Sequence, residues 1–123
     1  MDQFEFSFEK LDVWQESRIL VKEIYILLRN FPAEEKYALC DQIRRAVVSV
    51  PSNIAEGSGR MSVKEKIHFL EVAFGSLMET FCQMQIARDL EYISDEQILN
   101  VKAKVLQISK MLTGLRNSLL KRL

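Results

Sequence analysis

Glu65 and His68 stand three residues apart, the Glu-x-x-His spacing that sets two metal ligands on one helical face in di-iron bundles. Such sites need the motif twice together with further carboxylates, and this chain has His 1. His68 therefore reads as a surface residue, and no metal or other cofactor is expected. A single histidine and scattered serines leave no arrangement of nucleophile, base and orienting group. Gly57-Ser58-Gly59-Arg60 lacks both the preceding strand and the lysine of a phosphate-cradling loop. The Glu34-Glu35 pair is explained by a helix first turn, where the dipole favours carboxylates. These residues predict a protein that is not an enzyme and takes no small-molecule substrate.

Binding is the chemistry that remains. Arg44 and Arg45 point about 100° apart around a helix axis, so at least one can lie outside the core stripe. Arg60, Lys64 and Lys66 cluster near a turn. Guanidinium groups match phosphate oxygens in a bidentate fork, and a joint basic surface grips a nucleic-acid backbone without reading sequence. Arg44, Arg45, Arg60, Lys64 and Arg88 are the candidate contacts to RNA or DNA, with the C-terminal lysines secondary. The competing reading is internal salt bridging to Glu56, Glu65 or Glu71. Net charge is zero, yet after Glu96 the chain carries no acidic residue while Lys102, Lys104, Lys110, Arg116, Lys121 and Arg122 are basic. Such asymmetry marks either a polyanion-binding face or two halves that neutralise each other on packing.

Positioning these groups falls to helices. With Gly 4 and Pro 2 in 123 residues the chain is too poor in turn formers for an all-β fold. At 48% hydrophobic and 28% charged it is neither disordered nor membrane-spanning, its apolar runs falling far short of the roughly 20 residues a span needs. The acidic start Met1-Asp2-Gln3-Phe4-Glu5 does not resemble a signal peptide, so a cytoplasmic location is expected, with Cys40 and Cys82 as buried reduced thiols.

Four segments carry the three-four apolar spacing of a helix. The first, about 10–30, has Val13, Leu20, Ile24, Leu27 and Phe31, with Trp14, Val21, Tyr25 and Leu28 beside them; Phe31-Pro32 stops it. The second, about 33–57, keeps Cys40, Ile43, Val47, Val50 and Ile54 in register through Pro51, which predicts a kinked helix rather than a broken one. Ser49, Ser52 and Asn53 are placed to satisfy carbonyls freed by the proline. Gly57 and Gly59 are expected to end the helix through left-handed angles. The third, about 62–91, opens on a Ser62/Glu65 capping box and carries Val63, Ile67, Leu70, Phe74, Leu77, Phe81 and Met84; Gly75-Ser76 would admit a close neighbour. The fourth, about 94–122, opens on Ser94/Gln97 and runs through Ile98, Val101, Val105, Ile108, Leu112, Leu115 and Leu119. Short connections make consecutive helices antiparallel neighbours. The whole chain, 1–123, is predicted to be one all-α, up-down-up-down four-helix bundle.

Two features exceed a monomer's needs. Phe4, Phe6 and Phe8 alternate with polar residues, which predicts an extended arm over 1–8 that docks its aromatics on its own bundle or on a neighbour. Ile19 and Ile26 lie off both rows of the first helix, as an oligomer interface or as part of a wide core stripe.

The motifs Phe8-Glu9-Lys10-Leu11-Asp12-Val13-Trp14-Gln15, Phe31-Pro32 with Glu35, and above all Gln42-Ile43-Arg44-Arg45-Ala46 running into Ser49-Val50-Pro51-Ser52-Asn53-Ile54-Ala55-Glu56-Gly57-Ser58-Gly59-Arg60 resemble a known family. Phe69-Leu70, Gly75-Ser76 and Ala87-Arg88-Asp89-Leu90 extend the likeness, which weakens in the fourth helix. The family is that of the four-helix-bundle proteins encoded within intervening sequences of bacterial 23S rRNA genes. The resemblance implies an antiparallel bundle that assembles with itself into a ring-shaped homopentamer with a central channel. A related branch, the accessory proteins of diversity-generating retroelements, forms basic pentameric barrels that bind nucleic acid. This chain is neutral, so that basic character does not carry over wholesale. Two functions follow as expectations: a homo-oligomer that holds RNA or DNA by its backbone, or a protein-interaction scaffold with no nucleic-acid role.

Overall fold

Leu11 is extended and Asp12 lies in the first turn of helix α1, Asp12–Leu28, where its carboxylate favours the helix dipole. The computed structural model describes residues 4–123. At the far end of α1 the amides of Arg29, Asn30 and Phe31 bond three residues back, to Ile26, Leu27 and Leu28. The last turn thus tightens before Pro32, two residues short of the predicted end. Leu28 and not Leu27 completes the buried row of Val13, Leu20 and Ile24.

The second helix starts later than predicted. Pro32 opens only a 3-10 turn, Ala33–Glu35, and α2 is Leu39–Ser58. Ala38 breaks the path with φ −116° and ψ −101°. The residues ahead of Leu39 present no apolar stripe, so nothing holds them against the core as a helix. Glu35 instead accepts from the Leu39 amide at 3.4 Å and from the Tyr92 hydroxyl at 2.7 Å.

From Cys40 to Ile54 every predicted stripe residue is buried, and α2 continues through a buried Pro51. The proline leaves the Val47 carbonyl without its helical donor. The polar neighbours do not repair that position. Asn53 Nδ2 donates to the Ser49 carbonyl and hydroxyl, both at 2.8 Å, and Ser49 Oγ lies 2.8 Å from Ser76 Oγ on the next helix, while Ser52 stays exposed. Gly57 is also not a left-handed terminator. It is helical and buried, and a Cβ there would sit 2.9 Å from Phe69 Cβ, so it permits close approach of the next helix. Gly59 caps α2 with ordinary right-handed angles. Nothing lies within 4 Å of a Cβ placed on Gly75, so the close approach predicted there is made at Gly57 instead.

Helix α3, Val63–Asp89, begins where Ser62 Oγ accepts the Glu65 amide at 3.0 Å; Glu65 returns a carboxylate to the Ser62 hydroxyl. It ends in a Schellman turn: Tyr92 N–H reaches the Ala87 carbonyl and Glu91 N–H the Arg88 carbonyl, both at 2.9 Å. Helix α4, Asp95–Leu120, opens on the complete reciprocal box of Ser94 and Gln97.

Consecutive helices pack on one another and α4 closes on α1; among the described residues the backbones of α1 and α3, and of α2 and α4, stay more than 8 Å apart between Cα atoms. The result is an all-α, four-helix bundle around one apolar core. Phe74 is exposed rather than in that core, and Ala73, Thr80, Gln83 and Ala87 face inward from α3 beside Leu77 and Met84.

The N-terminal arm is shorter than predicted, because Ser7–Lys10 is a 3-10 turn and only the backbone around Phe6 is extended. Residues 1–3 of the predicted arm lie outside the described residues. Phe4 meets Phe6 edge-on at 4.9 Å, Phe6 stacks over Phe8 at 6.4 Å, and Phe8 meets Trp14 edge-on at 4.9 Å. The aromatic chain is therefore anchored on its own α1, while Phe4 and Phe6 remain 67% and 61% exposed.

Candidate nucleic-acid interface

Most of the arginines singled out by sequence already hold partners. Arg44 donates to the Lys36 carbonyl at 2.7 Å and lies 3.6 Å from Asp41. Arg45, whose side chain is 80% exposed, meets the same carboxylate at 3.2 Å. Arg60 bridges Glu56 at 3.0 Å and Glu65 at 3.5 Å and covers the Phe69 ring at 4.7 Å, its buried Nε lacking an acceptor. Arg88 binds Asp95 at 2.6 Å, which raises its pKa further. Lys64 is exposed and forms no ion pair among the described residues. Nor do the five share one surface. Gln42 meets Gln83 at one end of the α2–α3 contact and Ser58 meets Lys66 at the other. Arg44, Arg45 and Arg88 belong to the first end, Arg60 and Lys64 to the second, about 20 Å along α2.

Of the C-terminal cations, Lys104 pairs with Glu16 on α1 and Arg116 with Glu71 on α3, each at 2.7 Å. The two halves of the charge asymmetry thus meet in the packed bundle. His68 is exposed beside Phe69, and no group of three possible metal ligands occurs among the described residues. Cys40 is buried, and that burial raises its thiol pKa, with Arg44 opposing and Glu35 reinforcing the shift. A thiol held protonated is a poor nucleophile. Cys82 is exposed, contrary to its predicted burial, because the inward line of α3 passes through Gln83 and Met84. No helix among the described residues is long and apolar enough to cross a membrane.

A different basic surface lies between α1 and α2. One hollow there, about 710 Å³, is lined by Phe8, Trp14, Arg18, Lys22, Val48 and Pro51 among others. A second, about 460 Å³, is lined by Tyr25, Arg29, Phe31, Lys36, Cys40 and Arg44 among others. No carboxylate lines either one. Arg18, Lys22, Arg29 and Lys36 form no ion pair among the described residues; Arg18 lies 4.8 Å over the Trp14 ring and Lys36 5.3 Å over Tyr37. Helix α1 sorts its charges by face: Glu16 and Glu23 turn to α4, where Glu16 holds Lys104 and Glu23 lines an α1–α4 groove. The signal was present in the sequence, since Arg18, Lys22, Tyr25 and Arg29 follow steps of four, three and four.

Fold and surface together define an all-α four-helix bundle with a basic surface between α1 and α2. The model of the 23S rRNA-intervening sequence protein family matches residues 9–114, and the chain belongs to that family. Among solved structures it is similar to a protein of unknown function from the S23 ribosomal protein family of Bacteroides thetaiotaomicron VPI-5482. The TM-score is 0.79 at 25% identity, covering 85% of this chain and 95% of that one. No curated protein matches the chain.

Proposed function

We propose that this protein is a non-enzymatic, cytoplasmic bundle that assembles with itself and works as an interaction scaffold. The observation that carries this reading is the pair Ile19 and Ile26, seven residues apart on α1 and 43% and 44% exposed, outside the buried row of that helix. Two β-branched side chains left in water on one helix face gain free energy when a second copy covers them. The inter-helix pairs Gln42–Gln83, Ser49–Ser76 and Ser58–Lys66 run in opposite senses along α2 and α3, which supports antiparallel, up-down-up-down connectivity. The family resemblance points to a homopentameric ring as the assembly.

Light scattering tests it: the expected mass is a multiple of 14.3 kDa, five copies for the ring. Ile19→Asp with Ile26→Asp should return the mass to that of one chain, and a wild-type mass of one chain would refute self-assembly. Contact with RNA or DNA backbone is the second reading. The ion pairs of Arg44, Arg45, Arg60 and Arg88 weigh against those residues as its carriers, since a carboxylate beside each already offsets its charge. The unpaired cations of the α1–α2 groove favour it.

A further inference from the structure

We infer that the groove between α1 and α2 is a binding site for a single strand of RNA or DNA, with phosphates on Arg18, Lys22, Arg29 and Lys36 and bases against Tyr25 and the Trp14–Arg18 pair. The inference rests on the second reading above and deepens it, and it shares one residue with self-assembly: Ile19 lines the first hollow, so a copy seated on Ile19 borders the groove. Charge complementarity selects a polyanion: four cations without carboxylate partners line two adjoining hollows that contain no acidic residue. The aromatic groups select the kind of polyanion. Tyr25 is 39% exposed at the second hollow, and the Arg18 guanidinium already lies 4.8 Å over Trp14 in the first. Unpaired bases stack on aromatic rings and on arginine planes, a contact open to any base and closed to a duplex, whose bases face one another. An acidic peptide offers the charge without the rings.

Length agrees with this occupant. Trp14 to Arg29, the residue that caps α1, is fifteen steps along the helix, about 22 Å at 1.5 Å per residue, room for about six stacked nucleotides at 3.4 Å each. The apolar walls, Val48 and Pro51 on α2, give the bases a surface that excludes water from one side. Neutral net charge is no obstacle, because Glu16 and Glu23 are turned to the α4 side, and Asp41 and Glu35 near the second hollow are engaged by Arg44 and Arg45 and by Tyr92.

The chain's single tryptophan reports from within the groove. The full protein is titrated with fluorescein-labelled 12-mers, of RNA and of DNA sequence, single-stranded and duplex, reading label anisotropy and Trp14 emission at 50 and 200 mM NaCl. Binding of either single strand with a change in Trp14 emission is expected. Four phosphate contacts predict a salt slope of about −2.8, close to a 50-fold loss of affinity between the two salt concentrations. Arg29→Gln with Lys36→Gln should roughly halve that slope, and Tyr25→Leu should weaken binding about tenfold. Arg116→Gln with Glu71→Gln, which removes an α4–α3 pair without leaving a lone charge, should change neither. Light-scattering mass of each variant distinguishes loss of the site from loss of assembly. No binding at 50 mM NaCl would overturn the assignment. So would equal losses from the α4 control, equal binding of duplex with unaltered Trp14 emission, or displacement by polyglutamate at matched charge.

Discussion

Glu91 holds a φ of 65°, the left-handed region that a side chain occupies at a cost of roughly 1–2 kcal/mol. The Schellman turn after α3 demands that angle, and glycine meets it without strain. Glu91→Gly is therefore expected to stabilise the protein, by about 0.5–1 kcal/mol once the freer unfolded chain is counted, seen as a higher midpoint in urea. The opposite sign applies at Gly57. Its missing Cβ would fall 2.9 Å from Phe69 Cβ, an atom fixed by the α3 backbone, so Gly57→Ala should separate α2 from α3 and cost about 1–3 kcal/mol. Tyr92 adds a dependence on pH. Its hydrogen bond to Glu35, then partial desolvation, raise its pKa above 10.0. A raised folded value means that the fold prefers the protonated phenol. Its contribution is complete below pH 10 and fades as pH rises through the folded value. Tyr92→Phe should lose stability against wild type at pH 8, and the gap should narrow in thermal scans taken above pH 10. None of these three roles could be read from residue type. A glutamate at a helix stop carries no turn signature, and a glycine near a helix end reads first as a terminator.

At the scale of the element, α4 was the most legible part of the chain, with its complete cap at Ser94 and its stripe from Ile98 to Leu119 facing inward. Helix α3 shows why a strict repeat misleads over 27 residues. A straight helix drifts about 20° per heptad from a 3.5-residue period, so the inward line leaves Phe74 and passes through Ala73, Thr80 and Ala87. The start of α2 departs from the sequence expectation because Pro32 and the two glutamates satisfy the rules for a helix N-terminus, while the apolar stripe that would hold a helix begins only at Cys40. The basic groove was hidden for another reason. It is built from two helices, and its definition depends on which way Glu16 and Glu23 turn, information carried by packing rather than by α1 alone. The continuity of α2 through Pro51 was legible and invites a test. Pro51→Ala restores a donor to the Val47 carbonyl and removes a proline cost of roughly 3 kcal/mol, against the loss of a buried ring. The variant should fold and its light-scattering mass should change, because the path of α2 sets the outer face of the bundle. An unaltered mass would show that the proline does not shape the assembly.

At the scale of the whole molecule the question is how a chain with no net charge uses its charges. All ionic surplus after Glu96 is positive and the remainder of the chain is correspondingly negative. The fold brings these halves together along two seams, Lys104 to Glu16 and Arg116 to Glu71. The first is the more sheltered, with the two side chains 21% and 24% exposed, so water and salt screen it less. An exposed pair contributes about 0–1 kcal/mol, and the sheltered seam belongs near the top of that range. Salt should then act against the docking of α4. Raising NaCl from 20 mM to 500 mM shortens the screening length from above 10 Å to below 8 Å, and the thermal midpoint should fall by about 2–5 °C. The expectation has the opposite sign from a bundle held by its apolar core alone, which moderate salt leaves unchanged or strengthens. Glu16→Gln combined with Lys104→Gln removes the sheltered pair without leaving a lone charge, and should flatten the salt response while lowering the low-salt midpoint. If the double variant keeps the wild-type salt response, the sheltered seam does not hold α4, and the salt response belongs to Arg116–Glu71 or to the surface charges.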